Sequence, residues 1–109
     1  MAKKVVVTGA SGYIAGLLLP FLRERYDLTL LDVKKENREG EIIEDVEIVD
    51  LLDPDRDSYR SFFKGAEAVI HCGFARAENP EDPDQRFWAE YSNIKMAYNV
   101  YQTSWEEGV

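Results

Sequence analysis

The stretch Val5-Val6-Val7-Thr8-Gly9-Ala10-Ser11-Gly12 constrains this chain more than any other. Three consecutive β-branched residues suit a strand buried on both faces, the setting of a parallel sheet. The run stops in a turn of small residues, where glycine permits a sharp change of direction. From Tyr13 to about Arg25 the apolar residues Ile14, Leu17, Leu18, Phe21 and Leu22 then recur at helical spacing. Pro20 falls inside that helix and predicts a kink, with Gly16 four residues earlier leaving room for the distortion.

A strand, a glycine turn and a helix in direct succession can hold an anion. Gly9 supplies the tight turn, and Gly12 lets the backbone approach a pyrophosphate with no Cβ in the way. The small Ala15 permits close packing of helix on strand. The helix start offers unpaired N–H groups and the positive end of its dipole. About twenty residues on, Asp32 closes a second strand, Leu28 to Leu31, where a carboxylate accepts hydrogen bonds from an adenosine ribose. The same charge repels a 2′-phosphate, so NAD is favoured over NADP; Lys34, Lys35 and Arg38 are the residues that speak for NADP. Glycines serving turn geometry alone would leave the agreement of strand, helix and acid unaccounted for.

The rest of the chain repeats the alternation. Lys34 to Asp45 is polar and reads as a solvated connection, and Val46 to Val49 is a third strand. Asp53-Pro54-Asp55 starts a helix that runs to about Lys64 and ends at Gly65. Ala66 to His71 is a fourth strand. Gly73 to Asp84, with Pro80 and Pro83 among charges, is a loop, and Gln85 to Glu107 is one long helix. The order β-α-β-β-α-β-α predicts an α/β fold of Rossmann type, a doubly wound parallel sheet with strand order 3-2-1-4.

Composition narrows the partners. With 45% apolar residues among 109, the chain can bury a core, which excludes disorder. Thirteen Lys and Arg stand against 21 Asp and Glu, a net charge of −8 with no basic run, which excludes nucleic-acid and anionic-membrane surfaces. One dinucleotide is compatible with that charge because backbone amides supply the local field. The single cysteine, Cys72, excludes an internal disulfide framework and fits a reducing cytoplasm. The first apolar run is broken at Thr8-Gly9 and the longest, Ile14 to Leu19, is too short for a bilayer, so neither a signal peptide nor a membrane span is expected. His71 is the only histidine, which excludes a multi-histidine metal site, and no metal is expected.

At motif level, Thr8-Gly9-Ala10-Ser11-Gly12-Tyr13-Ile14-Ala15 resembles the TGxxGxxG opening of extended short-chain dehydrogenases/reductases, the NAD-dependent epimerase/dehydratase family, with Ala15 in place of the last glycine. Asp50-Leu51 is similar to the pair that lies beside the adenine in that family. Val69-Ile70-His71-Cys72-Gly73 resembles its fourth strand, whose end passes the cofactor ribose. Asn93 to Val100 resembles its N-V-x-G-T-x-N-L helix segment. The resemblance implies an NAD-binding oxidoreductase acting on a sugar or nucleotide-sugar, and the loop after the fourth strand is similar to that of uronate dehydrogenases. Pattern and resemblance together nominate Gly9, Ser11, Gly12, Tyr13, Ile14, Asp32, Asp50, Leu51, Cys72 and Gly73 for the cofactor.

The family's Tyr-x-x-x-Lys pair, and the Ser or Thr of its fifth strand, follow the long helix, beyond Val109. Residues 1–109 are therefore expected to form an NAD(P)-binding domain incomplete at its C-terminus, without catalytic residues or turnover of its own. Tyr91 and Lys95 mimic the pair in spacing but precede the serine-bearing strand, and read as a helix-surface i,i+4 pair. Asn93 has two readings, support for the family's catalytic tyrosine and lysine, or a polar helix residue bonded to local backbone. His71 reads as structural and Cys72 as an inert core residue. Phe87, Tyr91, Ile94, Tyr98, Tyr101 and Trp105 form a stripe on the long helix, expected to pack partly on the sheet. Trp88, Met96, Ala97 and Val100 make neighbouring faces apolar too, and the resemblance implies a homodimer through the 85–107 helix. The acidic stretch Glu78 to Asp84 reads as a solvated loop. Two other classes stay open, a non-catalytic NAD-sensing or regulatory module, and an assembly fragment that uses the last helix.

Overall fold

The computed structural model describes residues 2–109. Four strands, β1 (Lys4–Thr8), β2 (Asp27–Asp32), β3 (Val46–Ile48) and β4 (Ala68–His71), form one sheet in the order β3-β2-β1-β4. Every pairing is parallel, as the alternation of elements requires. Two helices complete the architecture, α1 (Tyr13–Arg23) and α2 (Pro83–Glu106).

The valine run is the central strand and feeds two cores. Because strand side chains alternate, Val5 and Val7 pack on one face with Ala15 and Leu19 of α1, Leu30 and Val46. Val6 points to the other face, against Leu31, Tyr59, Phe63 and Val100. Ala15 is fully buried, so its small side chain does bring α1 close to the sheet. The helix continues through Pro20 to Arg23.

Three local expectations are corrected. Residues 53–64 form two short 3₁₀ segments, Arg56–Ser58 and Arg60–Phe63, where one helix was expected. Here Asp53 accepts from the Asp55 N–H and Asp55 from the Asp57 N–H, local bonds that compete with helical ones. Tyr59 interrupts the segments and seats its ring in the core, its hydroxyl donating to the Asp53 carbonyl. At the other end of the chain, α2 begins at Pro83, two residues earlier than expected. Asp82 caps it by accepting from the Asp84 N–H, and Pro83 occupies the first turn.

The third correction concerns which side of α2 meets the sheet. All six residues of the stripe, five of them aromatic, are exposed, Trp105 at 78%. Asn99, Val100 and Thr103 are buried, with Met96 packed beside them. The inner face is polar for a reason. Asn99 donates from Nδ2 to the Leu51 carbonyl at 2.8 Å, satisfying a buried loop group that an apolar residue would leave unpaired. Arg56 and Arg60 reach Glu106 from the 3₁₀ segments and tie down the end of the helix.

This packing sets unequal costs along the chain. Phe63→Ala is expected to destabilise by about 3–5 kcal/mol through the cavity it leaves. Trp105→Ala should stay within about 0.5 kcal/mol. Urea denaturation of the two variants checks both values, and a large loss from Trp105→Ala would mean that the stripe faces inward.

Candidate functional site

Parallel strands direct their carboxyl ends to one side, and loops leaving them enclose a cleft there. In this protein that cleft measures about 860 Å³. Its floor is the turn after β1. Gly9 adopts φ +63°, a left-handed conformation open to glycine, and a Cβ there would lie 2.6 Å from the backbone of Cys72 and Gly73. The tight turn read from sequence is thus also a contact with the end of β4. A Cβ on Gly12 would meet the Gly9 carbonyl oxygen at 3.1 Å.

The turn is fixed from both sides. Ala10 N–H donates to the Leu31 carbonyl of β2. Asp32 Oδ2 accepts from the Ser11 N–H at 2.9 Å and from the Ser11 hydroxyl at 2.7 Å, while its Oδ1 accepts from the Val33 N–H. On the β4 side the Thr8 hydroxyl accepts from the N–H groups of Cys72 and Gly73. Helix α1 then starts at Gly12 with no side-chain cap and no acid in its first turn. Its leading N–H groups have no side-chain acceptor, and Tyr13 and Ile14 border the cleft.

All ten residues nominated from sequence line this one cleft. Gly9, Ser11, Gly12, Tyr13 and Ile14 make the floor. Asp32 stands on the β2 side, Asp50 and Leu51 follow β3, and Cys72 and Gly73 leave β4. Tyr91 and Lys95 are absent from the lining, and the Lys95 ammonium sits 5.6 Å from the Tyr91 ring centroid on the outer side of α2. Burial pushes the Cys72 thiol up, the direction of an unreactive cysteine. Burial also lowers the His71 imidazole from its ordinary value.

Asn93 reaches across to the loop after β4. Its Oδ1 accepts from the Ala75 N–H at 2.6 Å and its Nδ2 donates to the Ala75 carbonyl at 2.9 Å. Ala75 borders the cleft, so this asparagine fixes the cleft wall, and one N–H and one lone pair remain for a further partner. Lys34 and Arg38, two of the residues that speak for NADP, also border the cleft, the Arg38 guanidinium 5.2 Å from the centre of the Tyr13 ring, and Met96 enters from α2. Thr8 could have been suspected as a hydroxyl at a strand end, but its partners lie more than sixty residues away.

A parallel sheet of this order, with a glycine turn and an uncapped helix under a cleft at its carboxyl edge, defines an α/β protein of Rossmann type. The chain belongs to the NAD dependent epimerase/dehydratase family, whose model matches residues 5–109. Comparison with curated proteins yields no match. Among solved structures the chain is similar to a glucuronic acid dehydrogenase from Chromohalobacter salexigens, at 27% identity and TM-score 0.63, over 95% of this chain and 36% of that one. A mutant uronate dehydrogenase from Agrobacterium tumefaciens, complexed with NAD, matches at 22% identity and TM-score 0.67, over 97% and 37%. A UDP-N-acetylglucosamine 4-epimerase from Methanobrevibacter ruminantium M1 matches at 22% and TM-score 0.73, over 99% and 36%. The chain thus spans a little over a third of the length of these structures.

The glycine turn generates a paired test. Gly9→Ala should destabilise by at least about 2 kcal/mol, since strain and a backbone clash add. A Cβ at Gly16 meets nothing within 4 Å, so Gly16→Ala should be neutral or stabilising, by up to about 1 kcal/mol. Urea midpoints of the two variants compare them directly.

Proposed function

We propose that this chain is the NAD-binding portion of an oxidoreductase of the epimerase/dehydratase type whose substrate is a sugar or nucleotide-sugar. The observation that carries the reading is the convergence of the ten nominated residues on one cleft over a helix start that lacks any side-chain cap. That donor set suits a pyrophosphate, because the first turn of α1 has no side-chain cap and no acid of its own, while Asp32 engages the Ser11 N–H beside it. Asp32 keeps lone pairs beyond those used by Ser11 and Val33, and these accept from ribose hydroxyls; its charge favours NAD over NADP. Asp50 and Leu51 border the adenine end, and Cys72 and Gly73 the cofactor ribose. Bound NAD supplies hydride exchange at its nicotinamide ring. The role of this chain's residues is to hold and orient that group, and a catalytic acid–base pair has to come from sequence outside 1–109.

The likeness to the glucuronic acid dehydrogenase, at 27% identity, supports a uronate-type substrate within that class. A cytoplasmic setting and a homodimer through the 85–107 helix belong to the same proposal. The exposed aromatic face of α2 supports the dimer, and it equally favours the second reading, an assembly fragment. A regulatory NAD-sensing module would use the same cleft without turnover.

Calorimetric titration with NAD and NADP tests the reading. Wild type should bind NAD more tightly than NADP, and Gly12→Val should remove binding. Asp32→Ala should weaken NAD about tenfold or more and narrow its advantage over NADP, as expected for lost charge-assisted hydrogen bonds. A folded chain that takes up neither dinucleotide, yet dimerises with rising concentration in sedimentation, would favour the assembly fragment.

A further inference from the structure

Thr8 closes β1 with its side chain fully buried, and three groups meet its hydroxyl. The N–H groups of Cys72 and Gly73 donate to Oγ1 at 3.0 and 3.1 Å. His71 Nδ1 lies 2.6 Å from the same oxygen. A hydroxyl has two lone pairs and one proton. Both lone pairs are occupied by amides, so the proton goes to His71, whose Nδ1 must be bare. That arrangement calls for a neutral imidazole with its hydrogen on Nε2. An imidazolium would aim a second N–H at that oxygen, and an amide would have to let go. The Cys72 N–H is already shared with the Thr8 carbonyl at 3.2 Å and can fall back on it, whereas the Gly73 N–H has no second acceptor among the described residues.

Those amides matter to the cleft, because the Cys72–Gly73 backbone is what a Cβ on Gly9 would strike. The ring is half-buried and borders the cleft, and its neighbours within the fold are few. From β1 it meets Thr8, from α2 the Tyr101 ring lies at 72° to it with centroids 6.5 Å apart, and Cys72 follows in the chain. Tyr101 and Cys72 are the titratable groups beside it, and no carboxylate among the described residues pairs with it. Burial acts in the same direction, favouring the neutral ring.

We propose that Thr8 and His71 form a proton-sensitive clasp that holds the exit of β4 against the glycine turn, so that protonating His71 loosens the cleft and weakens dinucleotide binding. His71 is a positioning residue in this scheme. The affinity component rests on the NAD-binding reading, whereas the clasp itself can be examined without ligand. The sign follows from linkage: the unfolded chain binds the proton more readily, so stability is full above the ordinary histidine value of 6.5 and falls as pH drops below it.

Because His71 is the sole histidine, nitrogen-15 NMR reads its ring without ambiguity. The neutral protein should show the Nε2–H tautomer and a midpoint below 6.5, with the Cys72 and Gly73 amide signals moving at that midpoint. NAD affinity should fall roughly threefold to tenfold between about pH 7.5 and about pH 5.5, the effect of losing one neutral hydrogen bond. In His71→Asn the amide oxygen takes the place of Nδ1 as an acceptor that does not titrate, which should flatten the pH dependence of both stability and affinity. An Nδ1–H tautomer, or amides that ignore the titration, would overturn the clasp, as would a wild-type profile identical to that of His71→Asn. Intact clasp signals in a chain that takes up no NAD would instead retain the clasp and refute the cofactor reading.

Discussion

The close contact between the Gly9 turn and the Cys72–Gly73 backbone is the constraint on which the rest of the molecule depends. β1 pairs on both sides, so its end can be fixed by β2 and β4 together. Gly9 makes that junction possible because no other side chain could sit at φ +63° with backbone 2.6 Å from its Cβ position. With the turn seated, α1 begins at Tyr13 directly after it, and the cleft floor is set. Thr8, Ala10 and Ser11 then hold the seat through hydrogen bonds to β4 and β2.

The sheet and its order are legible in the sequence because they depend on local signals, the β-branched runs and the turns that separate them. The floor of the cleft is legible for the same reason. The Asp53 to Lys64 segment is not, because its aspartates satisfy nearby amides as readily as they would start a helix, and periodicity does not weigh those two uses. The inward face of α2 is hidden for a different reason. Hydrophobicity points to Phe87, Tyr91 and Trp105, whereas the helix needs Asn93 and Asn99 inside, since the carbonyls of Ala75 and Leu51 have to be met. Contacts made across sixty or more residues, such as Thr8 with Cys72 and Gly73, leave no trace in local pattern.

Charge is handled by position and not by number. A chain of net charge −8 keeps its carboxylates out of the first turn of α1, where one would cancel the helix dipole. The acid nearest the turn, Asp32, is engaged with Ser11 and Val33, so its oxygens are oriented before any ligand arrives. The cleft is thus electrostatically graded, with backbone donors at its floor and a carboxylate on the β2 side.

The position of β1 at the centre of the sheet has a consequence for how the cleft comes into being. Its partners come from residues 27–31 and 68–71, and no neighbour close in sequence can stand in for either. Non-local pairings of this kind form slowly, because the entropy of closing long loops is lost before any contact compensates for it. The floor amides of Cys72 and Gly73 acquire their acceptor only when β4 docks, so a partly folded chain has no cleft to offer. Completion of the sheet and formation of the cleft are therefore one cooperative event.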